Sequence, residues 1–160
     1  MKIKASFIII LLICGLSVQA QNNIFEKLSN HKDVTTVFVS KSLLSLMPNI
    51  DAGGVDLKSL TEKLEQVEIY RSDDNKNAAK VIRKETESLA KSKAYETLMN
   101  VKEPGENITF YAKKDKDSDK IKDLVMFVNK PNNKVTLIRI MGNFTPEDIQ
   151  KVISGTEKKK

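Results

Sequence analysis

Asp123-Leu-Val-Met-Phe-Val-Asn-Lys-Pro-Asn-Asn-Lys-Val-Thr-Leu-Ile-Arg-Ile-Met141 decides how this chain is read. Two apolar runs rich in β-branched and aromatic residues flank a turn of Asn, Lys, Pro and Asn, which is the strongest hairpin signal in the sequence. A sheet with one wet face would alternate apolar and polar residues. Here Leu124 to Val128 is apolar at every position, and Val135, Leu137, Ile138, Ile140 and Met141 place apolar groups on both sides of the second strand. The hairpin is therefore expected either to be covered on both faces or to offer its second face to a partner. In the latter case Ile138, Arg139 and Ile140 form the docking face. Arg139 taken alone reads as an edge-exposed or snorkelling side chain, with an anion contact as the alternative.

Upstream of the hairpin, Thr97 to Lys102 and Ile108 to Lys113 read as further strands. They are joined by Glu103-Pro-Gly-Glu106, a composition that suits a type II turn. Four extended segments linked this tightly must be antiparallel neighbours, because a parallel pair needs a long crossover. Val34 to Val39 and Val67 to Arg71 add one or two earlier strands. Short helices are expected at Asn23–Asn30, with Ile24, Phe25 and Leu28 on one side, and at Ser42–Met47 before Pro48. Asp56 is placed to cap a helix carrying Leu57, Leu60 and Leu64, and Asn77–Lys93 is the longest helix, with Ala78, Ile82, Thr86 and Leu89 facing inward. Phe144-Thr-Pro-Glu-Asp-Ile149 predicts a final helix with Thr145 as N-cap, Pro146 at the first position, Asp148 closing a capping box and Phe144 stapled to Ile149. Gly155 is its expected stop. The predicted fold is α+β: an antiparallel sheet of four sequential C-terminal strands plus one or two earlier ones, with helices packed on it.

At the other end, Lys2 and Lys4 precede an uncharged run from Ala5 to Leu16, and Ser17-Val-Gln-Ala20 has the small-x-small pattern of a cleavage site. Residues 1–20 read as a secretory signal, too short in its apolar part for the roughly 20 residues of a spanning helix. Export to the periplasm or beyond is expected, with residues 21–155 as one domain and 156–160 as a basic tail. Cys14 offers an alternative, lipidation at a lipoprotein signal, but Ile13 stands where a small residue belongs, so a lipid anchor is not the expectation. The remaining 140 residues contain no cysteine and carry 25 Lys and Arg against 21 Asp and Glu. Disulfides and thiolate chemistry are then excluded. With no tryptophan and no aromatic residues interleaved among the basic ones, nucleic-acid binding has no support.

The remaining chemical motifs are sparse. Asp115, Asp117, Asp119 and Asp123 occupy positions one, three, five and nine of a calcium-loop pattern, a weak calcium candidate. Lys120 replaces the tight-turn glycine and Met126 the bidentate glutamate. His31 is the only histidine and has no nucleophile motif around it. Tyr70, Tyr95 and Tyr111 are not expected to cluster, and each reads as a sheet or helix surface aromatic rather than part of a ligand cage. No cofactor is implied. Two carboxylates held across a cleft would support glycoside-type hydrolysis, but spacing in a sequence does not place such a pair.

The signal at residues 1–20, the acidic and Lys-rich long helix, the paired C-terminal strands and the ending Ile138-Arg-Ile-Met-Gly-Asn-Phe-Thr-Pro-Glu-Asp-Ile149 together resemble a family of small exported bacterial proteins known as domain of unknown function 4252. The resemblance implies an envelope protein of unassigned role, with an accessory or sensing component as the reading it suggests, and supplies no catalytic residues. The expected function is a non-enzymatic exported binding domain whose partner is an envelope protein or small ligand. A small carboxylate-based hydrolase and a weak calcium module are the alternatives.

Overall fold

The structure, a computed structural model, describes residues 23–46, 51–52, 55–56 and 60–157. Helix α1 (Asn23–Ser29) leads into strand β1 (Thr35–Ser40) and helix α2 (Lys41–Leu46). A small ribbon of β2 (Asp51–Ala52) and β3 (Val55–Asp56) precedes β4 (Leu64–Arg71). Helix α3 (Lys76–Lys91), strands β5 (Glu96–Glu103), β6 (Glu106–Lys114), β7 (Ile121–Asn129) and β8 (Val135–Phe144), and helix α4 (Pro146–Glu157) complete the chain. Six strands form one sheet in the order β1-β4-β8-β7-β6-β5, and every neighbouring pair is antiparallel. The hairpin β7–β8 supplies the two middle strands.

Both faces of that hairpin are covered. Leu124 and Met126 of β7 and Ile138 and Ile140 of β8 join Leu44 of α2 and Ile149 and Val152 of α4 in one buried cluster. Val125, Phe127, Val135 and Leu137 point the other way and pack with Phe25 and Leu28 of α1 and Ala78, Ile82 and Leu89 of α3. Alternate residues of a strand face opposite sides, so a strand buried on both must be apolar throughout. That explains the missing alternation, and it corrects the docking-face expectation. Ile138 and Ile140 are core residues with 0% exposure, and Arg139 points to the opposite face of the sheet from both.

Local chemistry sets the connections. In the β7–β8 turn Asn132 and Asn133 both take positive φ, 57° and 59°, in a left-handed geometry that asparagine tolerates better than most residues. Gly105 sits at φ 82° in the β5–β6 turn, as the third position of a type II turn requires. Asn75 caps α3 by accepting from the backbone N–H of Asn77 at 2.9 Å and of Ala78 at 3.1 Å. The buried Ser72 hydroxyl accepts from the Val135 N–H at 2.8 Å and donates to the Asn133 carbonyl, which ties the end of β4 to the start of β8. At Gly142, where β8 passes closest to the turn before β4, a Cβ would overlap the Lys63 carbonyl oxygen and the Phe144 ring. Only glycine permits the Asn143 N–H to reach that carbonyl at 3.1 Å.

Two helical expectations are corrected. Asp56 pairs with Asp51 in the β2–β3 ribbon instead of capping a helix, and Leu64 opens β4. Leu57 lies outside the described residues. Leu60 and Leu64 are both buried, but a tight turn in which the Lys63 N–H donates to the Leu60 carbonyl at 2.8 Å carries the chain between them. Four-residue spacing does not distinguish such a turn from a helix. Gly155 also fails to stop α4, which continues to Glu157.

The capping box forms as expected. The Thr145 N–H donates to Asp148 Oδ2 at 2.8 Å, and the Asp148 N–H donates back to Thr145 Oγ1 at 3.3 Å. Lys63 Nζ meets the same carboxylate oxygen at 2.5 Å. Burial alone would raise the Asp148 pKa, but the bonds from Lys63 and Thr145 outweigh it and hold the carboxyl below its ordinary value. A depressed folded-state pKa gives stability that is present above the unfolded value of about 4 and is lost as pH falls through the folded value. Asp148→Ala should therefore cost about 1–2 kcal/mol at pH 7. In urea titrations the gap between the variant and the parent should close toward pH 3, where the parent loses the same interaction.

Candidate functional site

The densest polar cluster lies on the sheet face under α1 and α3. In register, Glu68 of β4 stands opposite Arg139 of β8, and Arg139 stands opposite Val125 of β7, two residues from Asp123 on the same face. Arg139 Nε and Nη2 reach Asp123 Oδ2 at 2.8 Å and 2.7 Å, and its Nη1 reaches Glu68 Oε2 at 3.3 Å. Tyr95, in the link from α3 to β5, donates to the same Asp123 oxygen at 2.7 Å. Tyr70 donates to Glu68 Oε2 at 2.8 Å, and Gln66 Nε2 to Glu68 Oε1 at 2.5 Å. The guanidinium carbon lies 4.0 Å from the centre of the Phe25 ring, within cation–π range. Phe25 in turn packs against Tyr70, with ring centres 6.1 Å apart.

These groups are largely withdrawn from solvent. The side chains of Arg139, Glu68 and Asp123 are 18%, 13% and 5% exposed. Burial would weaken the Arg139 charge, but Asp123 above all, then Tyr95 and Glu68, more than offset it and push the guanidinium pKa higher still. Burial, and then the neighbouring carboxylates, push the phenols of Tyr95 and Tyr70 well above the ordinary tyrosine value. A raised phenol favours the neutral form, so its stabilisation is complete below about pH 10 and declines as pH rises past the unfolded value. In an alkaline titration, tyrosinate absorbance from Tyr70 and Tyr95 should appear together with loss of the folded circular-dichroism signal. Ionisation of all three tyrosines before unfolding would contradict this placement.

The network corrects three readings of the sequence. Arg139 is neither at an edge nor snorkelling, since it is clamped between two carboxylates on a central strand. Tyr70 and Tyr95 converge through Glu68 and Asp123. Asp123 belongs to this buried network and is separated from the proposed calcium loop. Of the other three candidates, Asp115 accepts from the Asp117 N–H at 3.2 Å and meets Lys122 at 3.5 Å, while Asp117 and Asp119 are exposed. Among the described residues, no group of three or more His, Cys, Asp or Glu side chains is placed to hold a metal ion.

A second feature is a shallow recess of about 320 Å³ between the turn after α1 and the first turns of α3, lined by His31, Asp33, Asn77, Lys80, Val81 and Lys84. His31 Nδ1 accepts from the Asp33 N–H at 3.3 Å. The neutral ring then carries its proton on Nε2.

The third feature is the sheet's β1 edge. Phe38 is 59% exposed and Val37 39% exposed, on opposite faces of the strand. Among the described residues, no strand pairs with the outer side of β1. No sequence signal marked this edge, because Thr-Thr-Val-Phe-Val-Ser reads the same for an edge strand as for a central one.

A six-stranded antiparallel sheet with helices on both faces, closed by an internal ion-pair network, defines an α+β domain. The chain belongs to the family described as Domain of unknown function (DUF4252), whose model matches residues 25–152. No curated protein and no solved structure matches it. No helix among the described residues is long and apolar enough to cross a membrane.

Proposed function

We propose that this chain is an exported, non-enzymatic interaction domain of the cell envelope. The observation that carries the reading is the uncharged β1 edge, which exposes Phe38 and Val37 while the described apolar residues of the middle strands are covered by helices. An unpaired edge of this composition can receive another strand, with main-chain hydrogen bonds giving affinity and alternate side chains giving selectivity. The buried carboxylates favour this reading over hydrolysis. Glu68 and Asp123 share one guanidinium, and two tyrosine hydroxyls already donate to them. The expectation of export rests on Lys2, Lys4, the apolar run and Ser17-Val-Gln-Ala20.

Two measurements test the reading. Mass spectrometry of the exported protein should find Gln21 at the N-terminus, and a diacylated Cys14 would overturn the cleavage site proposed here. Crosslinking in intact envelopes should trap the chain through β1. Phe38→Ser should abolish that product while leaving the circular-dichroism spectrum and melting temperature unchanged. An undiminished product would remove β1 as the interaction surface.

A further inference from the structure

We propose that the recess between the turn after α1 and the first turns of α3 binds a compact zwitterion, a small molecule that carries an acidic group and an ammonium close together. The site is separate from the exposed side chains of β1 and adds a small-molecule ligand to the interaction domain.

Both walls of the recess are held by the fold itself. In the turn after α1, the Asn30 N–H donates to the Glu26 carbonyl at 3.0 Å, the His31 N–H to the Leu28 carbonyl at 3.2 Å and the Val34 N–H to the His31 carbonyl at 3.0 Å. The Asp33 N–H donates to His31 Nδ1 at 3.3 Å, which orients the imidazole and leaves its Nε2–H as a donor. The other wall is α3, capped by Asn75 and anchored to the sheet through the buried Ala78, Ala79 and Ile82. Asn77, Lys80, Val81 and Lys84 follow at the i, i+3, i+4 and i+7 spacing of one helix face, and all four line the recess.

The charges divide by wall. Lys80 and Lys84 stand one helical turn apart, where like charges repel, and Asp33 belongs to the facing turn. The three share one recess, yet none of them has an ion-pair partner among the described residues. Charges nearby on the same elements are matched: Lys27 lies 3.9 Å from Glu85, and Arg71 lies 3.6 Å from Asp73. A simple anion would be drawn to the lysines and repelled by Asp33, and a simple cation would meet the reverse. A zwitterion satisfies both walls, with its acidic group on Lys80 and Lys84 and its ammonium on Asp33. His31 Nε2–H and the Asn77 amide supply further polar contacts, and Val81 an apolar one. The volume of about 320 Å³ lies at the small end of the roughly 300–1,000 Å³ of ligand pockets, which suits a molecule of few heavy atoms. Because Lys80 and Lys84 are exposed, each contact is weak, and a dissociation constant of roughly 0.1–10 mM is expected.

An amino acid and a phosphoethanolamine head group share this chemistry. Two-dimensional amide NMR of the purified protein, titrated with L-alanine and separately with O-phosphoethanolamine to about 50 mM, should show saturable shifts confined to His31–Val34 and Asn77–Lys84. The tighter of the two identifies the source of the group. N-acetyl-alanine, ethylamine and inorganic phosphate, each lacking one of the two charges, should bind at least about threefold more weakly than the better zwitterion. Asp33→Asn should weaken the zwitterion and strengthen inorganic phosphate, while Lys80→Gln combined with Lys84→Gln should weaken both, with the melting temperature unchanged in each variant. Absence of saturable shifts with both zwitterions would overturn the proposal. So would a parent protein that binds inorganic phosphate or N-acetyl-alanine as tightly as the zwitterions, a comparison that needs no variant to fold.

Discussion

Replacing Arg139 with methionine is expected to destabilise the protein by about 3–5 kcal/mol, the range seen when one partner of a buried ion pair is removed. The substitution keeps much of the side-chain volume and the contact with Phe25, so the loss is chiefly electrostatic. Two carboxylates would remain below α1 and α3 without their cation. Asp123 suffers most, because its Oδ1 has no hydrogen-bond partner and its Oδ2 would keep only the Tyr95 hydroxyl. Urea unfolding at pH 7 measures the cost. Adding Glu68→Gln and Asp123→Asn should recover most of it, because replacing a whole buried ionic set is far less harmful than leaving half of it behind. A cost for Arg139→Met below about 1 kcal/mol would mean that the network is effectively solvated, as surface ion pairs are.

Leu137→Ala and Ile138→Ala are expected to cost about 2–5 kcal/mol each. The two residues are adjacent in β8, are both 0% exposed, and point into different clusters, Leu137 toward α1 and α3 and Ile138 toward α2 and α4. Losing several buried carbons from either cluster leaves a cavity that a sheet held on its other face closes poorly. Thermal or urea unfolding of the two variants therefore probes the two layers separately. A small cost for one of them would identify the less well-packed layer.

The middle of the fold was legible because its physics is local. The apolar run at Leu124–Val128 and the apolar residues on both faces of Val135–Met141 mark two strands without a wet face, the two asparagines suit a left-handed turn, and Thr145 with Asp148 writes out a helix start. Arg139 was misread because burial of a charge depends on partners distant in the chain. Glu68 lies seventy-one residues before it, and their pairing exists only once β4 is placed beside β8. One clue was present. Gln66, Glu68 and Tyr70 form a polar-capable row on one face of a strand whose Val67 and Ile69 are apolar, and an Arg on another strand is the natural counterpart of such a row. The β1 edge was invisible for a topological reason: β1 pairs with β4, β4 pairs with β8, and no local pattern fixes which strand ends the sheet. The leucine repeat at Leu57, Leu60 and Leu64 misled because burial of Leu60 and Leu64 is satisfied by a turn as well as by a helix.

Native-state hydrogen exchange tests most directly the claim that β7 and β8 form the doubly covered centre of this fold. The hydrogen-bonded amides of Val125–Phe127 and Leu137–Ile140 should exchange only through global unfolding, with the full urea sensitivity of the whole protein, while amides of β1 and β5 exchange through smaller openings. Exchange of the β8 amides through a local opening, at a free energy well below that of global unfolding, would contradict the account.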